Sequence, residues 1–352
     1  MQNDGYKGSI VRILILASRG ESLTGGATYQ ANVLRELSKR HEVKICDSEA
    51  DLDENWDIAH CLNLKHLSLD LARKLRCPLV VDSHDYYWVR YYHFFCLDFP
   101  VRFFLQKIRK MKYSRLFKEI DGIILHAQYV YDLYDHPHKY LNFYYGLDYS
   151  EIASRPWDEK ENLILFVGGD YFRKGIHRLL RALPLVLEKV PDARLMVIGN
   201  DYGYVKAFAR FLARGLPVQF IYGMPRNELY GTYGRAKAFV MPSEIEAIPL
   251  VSSEATMAGV PPILSDAGGN PEIVLDGKTG FTVPLDDYPQ LAERIVSCLT
   301  DRALSERLVR QGREFLGQFT KDRMIDRLEE IYASVIDRHN LNRKDAKDAK
   351  RS

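Results

Sequence analysis

The stretch of the chain richest in potential chemistry is MPSEIEAIPLVSSEATMAGVPPILSDAGGNPEI, residues 241–273. It sets Glu246 just ahead of a proline-started helix and Glu254 among Ser, Ala, Thr and Met. Carboxylates in such surroundings are costly unless polar groups meet them. Pro249 suits a first helical turn, where its missing N–H costs nothing, and Gly259 followed by Pro261 and Pro262 ends the helix. Glu246 then lies in the loop before the helix and Glu254 in its second turn. The N–H groups of Leu250 and Val251 open the helix, where the dipole favours an anion. This layout fits an elongated ligand with hydroxyls at both ends and a negative group between them, as in sugar, diphosphate and ribose. The competing reading is a solvated helix with two surface glutamates.

A second stretch, LFVGGDYFRKGIHRLL (165–180), ends a strand in Gly168-Gly169 and opens a helix after Arg173-Lys174-Gly175. Cations at the carboxyl end of a strand, beside a helix start, suit diphosphate oxygens. Alone the feature is weak, since basic residues in such loops are often only solvated.

These residues need a scaffold of strands and helices. Short apolar runs at 10–17, 78–82, 121–126, 163–169, 194–200, 217–223, 237–242 and 260–266 read as buried strands. Helix-period stretches lie between them, as at 27–40 and 175–190. The alternation implies right-handed βαβ units and parallel sheets. The polar segment 146–162 reads as a linker between two doubly wound domains, 1–148 and 149–320. A helix follows over 321–339, and the charged 340–352 reads as a disordered tail.

The chain has 352 residues, 46% hydrophobic and 27% charged, with a net charge of +2. The balance gives no argument for nucleic acid as a partner. Five scattered cysteines without a C-x-x-C pair point to a reducing compartment, with neither disulfide framework nor structural zinc. No apolar run is long enough to cross a bilayer, and the first residues lack a signal-peptide core. A cytoplasmic location is expected. No G-x-G-x-x-G follows the first strand, which argues against a nicotinamide enzyme. The acidic pair flanking Leu52, Asp51 and Asp53, reads as a solvated loop rather than a metal site.

The segment PSEIEAIPLVSSEATMAGVPPILSDAGGNPEIVLDGKTGFTVP resembles the signature of retaining glycosyltransferases of family 4. It supplies Glu246 and Glu254 with seven residues between them, Gly259-Val260-Pro261, Gly268-Gly269, Glu272 and Thr279-Gly280 in order. Elsewhere Gly25-Gly26 resembles the family's N-terminal glycine loop, and DIAHCLN, PLVVDSHDYYW and YYGLD resemble further family segments.

The resemblance implies a GT-B fold, two Rossmann-like domains facing a cleft with the C-terminal helix crossing back onto the first. It implies that Glu246 contacts the donor sugar, Glu254 the ribose and Lys174 the diphosphate, with Gly25, Gly26, Gly168, Leu250 and Val251 on the donor side. His84 lies where the family has a histidine facing the transferred sugar, although His84-Asp85 also fits an ordinary loop pair. The family's V-G-R arginine is Gly169 here, and Arg173 stands as its replacement. The implied reaction is metal-independent transfer with retention, without a cofactor, from a nucleotide sugar to a glycan or lipid-linked acceptor. Cell-surface polysaccharide, lipopolysaccharide or glycolipid synthesis is the expected setting.

Acceptor choice is expected in the first domain. There VRFFLQKIRKMKYSRLFKEI (101–120) carries seven Lys or Arg and one acid, interleaved with bulky apolar residues. Phe103, Phe104, Lys107, Arg109 and Lys110 on such a helix could lie on an anionic bilayer, with the aromatic run 84–99 beside it. The other reading is a core-packing helix with a solvated basic face. Two rival functions compete with transfer: a nucleotide-sugar epimerase, and a non-catalytic nucleotide-sugar or glycan-binding protein.

Overall fold

The computed structural model describes residues 10–17, 25–84, 99–146, 149–201 and 203–348. Its contacts divide the chain into two units, Met1–Leu147 with Phe319–Ser352, and Asp148–Gln318.

The first unit holds β1 (Arg12–Leu16), α1 (Gly25–Leu37), β2 (Glu42–Ile45), β3 (Ile58–Cys61), α2 (Leu69–Lys74) and β4 (Leu79–Ser83). It continues with α3 (Phe99–Leu116), β5 (Gly122–Leu125), α4 (Gln128–Leu133) and β6 (Lys139–Leu141). Its six strands are parallel, in the order β2-β1-β3-β4-β5-β6. The middle strands are buried along their length. Helices cover both faces of such a sheet, so continuous apolar runs like ILIL replace alternation.

The second unit holds β7 (Leu163–Val167), α5 (Ile176–Leu187), β8 (Arg194–Ile198), α6 (Gly203–Leu212), β9 (Val218–Ile221), α7 (Arg226–Arg235) and β10 (Ala238–Met241). It then runs through α8 (Leu250–Met257), β11 (Pro262–Ser265), α9 (Asn270–Ile273), β12 (Phe281–Val283), α10 (Tyr288–Thr300) and α11 (Arg302–Leu316). The strands are again parallel, ordered β12-β11-β10-β7-β8-β9. Two doubly wound α/β sheets are what the strand–helix alternation implies.

All eight apolar runs are strands, and four further strands were not legible. β2, β6 and β12 are edge strands; β2 and β6 are only partly buried and mix polar with apolar residues, so their hydrophobic signal is diluted. β3 is central and fully buried, but its sequence IAHC places His60 inside the sheet.

The last helix, α12 (Lys321–Asp348), packs on the first unit through Met324, Ile325, Leu328, Ile331, Tyr332, Val335 and Ile336, all buried at helical spacing. Arg40 pairs with Asp322, Asp326 and Glu329 along its flank. The expected disordered tail from residue 340 is instead helical to Asp348. A helix already nucleated by packing extends at little cost through Arg, Lys and Ala, which favour the helical state. Residues 349–352 lie outside the described residues.

Two other expectations change, and a third falls outside the described residues. Gly25 and Gly26 form the first turn of α1 rather than the loop before it. Asp51 is buried, paired with Lys44 at 2.7 Å, and accepts the N–H groups of Asp47 and Ser48. It caps a short turn structurally and is not a solvated loop residue. The aromatic run lies largely in 85–98, outside the described residues, and nothing is described of the Phe103, Lys107 and Arg109 side chains on α3.

Replacing Leu328 with Ala should cost about 2–5 kcal/mol through the cavity left behind. Asp322→Ala, at an exposed ion pair, should change stability by less than about 1 kcal/mol. Urea unfolding of the two variants checks the contrast.

Candidate active site

Glu246 is the centre of a charged cluster at the carboxyl ends of β7 and β10. The chain leaves β7 through Gly168, whose φ of +137° is open to glycine. A Cβ there would lie 2.6 Å from Lys174 Cδ and Cε, so the missing side chain is the space in which Lys174 lies. The loop is set by Tyr171, buried, whose backbone N–H donates to Asp201 at 2.6 Å and whose hydroxyl donates to the Gly199 carbonyl at 2.7 Å. Gly175 caps α5 with φ +81°, against the Pro242 carbonyl, where no Cβ would fit.

Arg173 Nη1 donates to Glu246 Oε1 at 2.7 Å and to the Ile245 carbonyl at 3.1 Å; Lys174 Nζ donates to the same Oε1 at 3.1 Å. Arg173 Nε also pairs with Asp170 at 2.6 Å. The side chains of Glu246 and Lys174 are only 12% and 13% exposed. On the far side, Gly268 (φ +62°) and Gly269 close on the Glu246–Ala247 backbone. The Gly269 N–H donates to the Glu246 carbonyl at 2.8 Å, and a Cβ on Gly268 would stand 2.7 Å from that carbonyl oxygen. The paired glycines of the signature are there because this loop leaves no room for side chains.

Glu254 stands in the second turn of α8. Its Oε2 accepts the buried Tyr233 hydroxyl at 3.2 Å, and Arg226 Nη2 approaches Oε1 at 3.5 Å. Burial raises the Glu254 carboxyl above its ordinary value, with Arg226 and the Tyr233 hydrogen bond opposing. Beside it the buried hydroxyls of Tyr149 and Ser253 have, among the described residues, no hydrogen-bond partner other than one another. A ligand hydroxyl could use both. The sequence pointed to none of Arg226, Tyr233 and Tyr149: they come from α7 and the 149–162 segment, and no spacing connects them to Glu254.

The helix start differs in detail from expectation. Pro249 is the residue before α8 rather than its first turn, and the Leu250 N–H is taken up by the Ile248 carbonyl at 3.1 Å.

In the first unit, His84 follows β4. Its Nε2–H donates to the Leu62 carbonyl at 3.1 Å, and its ring stacks on His126 at 4.7 Å with 2° between the planes. Beneath them Asp82, fully buried, faces His60 Nε2 at 2.9 Å and His126 Nε2 at 3.3 Å. Burial alone would raise Asp82, but His60 and His126 outweigh it and hold the carboxyl below the usual range. Asp85 lies outside the described residues. Of the basic helix, Phe104 and Lys110 are exposed.

Residues 150–315 match the family model for glycosyl transferases group 1. The chain is 33% identical over 160 residues to sulfoquinovosyl transferase SQD2 of Arabidopsis thaliana, covering 45% of this chain and 30% of that protein. It is 34% identical over 139 residues to the GDP-mannose-dependent alpha-(1-6)-phosphatidylinositol monomannoside mannosyltransferase of Mycolicibacterium smegmatis, covering 37% and 36%. The chain thus spans less than half the length of these relatives.

Among solved structures, Anabaena Alr3699/HepE in complex with UDP and glucose superposes with a TM-score of 0.72 at 17% identity, over 92% of this chain and 100% of that one. Sucrose-phosphate synthase from Thermosynechococcus elongatus gives 0.68 at 17%, over 96% and 100%. The fold is GT-B, as these likenesses and the paired parallel sheets show.

Because Glu254 holds its proton to higher pH folded than unfolded, the wild type should lose stability as pH rises through the ordinary glutamate value and above it. Glu254→Gln lacks that ionisation. Urea unfolding across this range should show the wild type falling relative to the variant; parallel curves would mean that the carboxylate is not desolvated.

Proposed function

We propose that a chain whose second unit matches glycosyl transferases group 1 transfers a sugar from a nucleotide-sugar donor to a glycan or lipid-linked acceptor. The observation that carries the reading is the convergence of Arg173 and Lys174 on Glu246 at the carboxyl edge of the sheet, with Glu254 one to two turns into the adjoining helix. Crevices at the carboxyl ends of parallel strands are where such folds bind ligands. In support, a structure of the same fold holds UDP and glucose, and one relative is named for GDP-mannose.

In this reading Glu246 orients the sugar hydroxyls and Glu254, with Tyr149 and Ser253 beside it, takes the ribose. Breaking the sugar–phosphate bond builds charge on the leaving diphosphate. Arg173 and Lys174 meet that charge without a metal or other cofactor, in a site shielded enough to make each interaction count. Arg173 does the work of the arginine that Gly169 replaces. The incoming group attacks from the face the diphosphate leaves, the donor phosphate takes its proton, and the configuration is retained.

The acceptor reading rests on α3. Phe104, Ile108 and Met111 are exposed at i, i+4 and i+7, a stripe on one face, 65%, 47% and 60% exposed. Exposed Lys110, Lys112 and Arg115 flank it. A basic helix with such a stripe suits the surface of an anionic bilayer. We therefore place the protein peripherally on the cytoplasmic face, in surface polysaccharide, lipopolysaccharide or glycolipid synthesis. Among the described residues no helix is long and apolar enough to cross a membrane.

Thermal unfolding with a panel of nucleoside diphosphates and nucleotide sugars tests the donor site. One base should raise the melting temperature by mass action, and Glu254→Ala should abolish the shift; no shift with any nucleotide would sink the proposal. With the donor known, Arg173→Ala and Lys174→Ala should each lower kcat by about 10²–10³, and transfer should survive EDTA. Binding followed by neither transfer nor donor turnover would favour the non-catalytic reading.

Co-sedimentation with phosphatidylglycerol vesicles tests the helix. Phe104→Ser with Met111→Ser should release the protein, whereas undiminished binding would assign α3 a different partner.

A further inference from the structure

The second unit gathers another cluster of charged side chains, at the amino ends of its strands. Where Lys160 precedes β7 and Gly259 precedes β11, at the amino ends of the strands, a cavity of about 280 Å³ opens between the 154–160 segment, the Gly259 turn and α11. That volume approaches the lower end of small-molecule pockets, about 300 Å³. Four cations line it, Arg155, Lys160, Arg310 and Arg313, against one acid, Glu306. Glu306 is committed to Arg302 at 2.8 Å. Among the described residues none of the four cations has a carboxylate within ion-pair distance, so the lining carries a net positive charge.

The geometry is convergent. A Cβ on Gly259 would lie 3.4 Å from Arg313 Nη2 and 3.6 Å from Lys160 Nζ, so both groups stand over that glycine. Lys160 is buried, and its ammonium donates to the Ala236 carbonyl at 3.2 Å. Arg313 Nη2 donates to the Met257 carbonyl at 2.7 Å, while its Nε is buried with no hydrogen-bond partner among the described residues. Burial first, and then the like charges of Arg313 and Arg155, hold Lys160 down to about 8.

One plain role is to place cations on the last carbonyls of α7 and α8, at Ala236, Met257 and Ala258, where the helix dipole favours them. That accounts for Lys160 and Arg313. It does not account for Arg155 and Arg310, which face the same cavity from the linker and from α11 and touch no carbonyl of either helix in any hydrogen bond described. Nor does it use the buried Arg313 Nε. An anion supplies what all four lack, and guanidinium groups present the paired donors that phosphate oxygens match.

We propose that this cavity binds a small phosphorylated anion of sugar-phosphate size, at a site separate from the Glu246–Glu254 cluster on the opposite edge of the sheet. The phosphate sits among the four cations, and the remaining volume takes the group it esterifies.

Isothermal titration of the full chain at constant ionic strength, with inorganic phosphate and glucose 6-phosphate as probes, tests this. Both should bind saturably, the ester more tightly. The double variant Arg155→Glu, Arg310→Glu changes two exposed side chains, so folding should be unaffected. It should weaken binding at least about tenfold, while nucleotide-induced thermal stabilisation stays at the wild-type level. Absence of saturable binding, equal affinity in the variant, or loss of binding in Glu246→Gln instead would each overturn the proposal. So would binding to phosphatidylglycerol vesicles alone, which would make the site a lipid-headgroup contact.

Discussion

The second unit is organised around one shielded carboxylate and the two cations that face it. Glu246 is held by Arg173 and Lys174 across the gap between two strand ends, and each glycine nearby exists to let that happen. Gly168 clears the path of the Lys174 stem, Gly175 lets α5 begin against Pro242, and Gly268 and Gly269 wrap the Glu246 backbone from behind. A desolvated ion cluster contributes little net stability, since removing charges from water offsets their attraction. In the proposed reaction its worth lies in keeping three charged groups in place before the donor arrives, which is what preorganised electrostatic stabilisation requires.

The first unit solves a similar problem with a different hub. Asp82, buried at the end of β4, gathers His60 from β3, His126 from beyond β5 and the Tyr29 hydroxyl from α1 at 3.4 Å. His60 in turn meets Tyr332 of α12 at 2.6 Å. One carboxylate thus ties the sheet to its first and last helices, and the stacked His84 rests on that network. The hydrogen-bonded path from Asp82 through His60 to Tyr332 helps determine where the returning C-terminal helix docks.

Parts of this were legible in the chain and parts were not, for identifiable reasons. Strands covered on both faces read as unbroken apolar runs, so β1, β7 and β10 stand out, whereas the edge strands β2 and β6 do not. Glu246 and Glu254 were legible because their local context is unusual: a proline just ahead of a helix, small neighbours and glycines at set intervals. Arg226, Tyr233 and Tyr149 were not, because each is unremarkable where it stands in sequence and gains its role from what folds against it. The charged tail misled for a related reason, since composition speaks for an isolated segment and not for one continuing a helix already packed.

By itself, then, the sequence determined the alternation that yields two parallel sheets, the spacing of the two glutamates and the run of cations before α5. These are local properties, decided by periodicity, propensity and the backbone freedom of glycine. The tertiary structure alone decided that Arg173 reaches Glu246, that Glu254 is wrapped by tyrosines, and that four cations from the linker, the strand entry and α11 share one cavity. Those outcomes join residues up to about 160 positions apart. No local preference encodes such pairings, because they come from burying apolar faces elsewhere in the fold and leave polar groups to meet wherever that packing brings them.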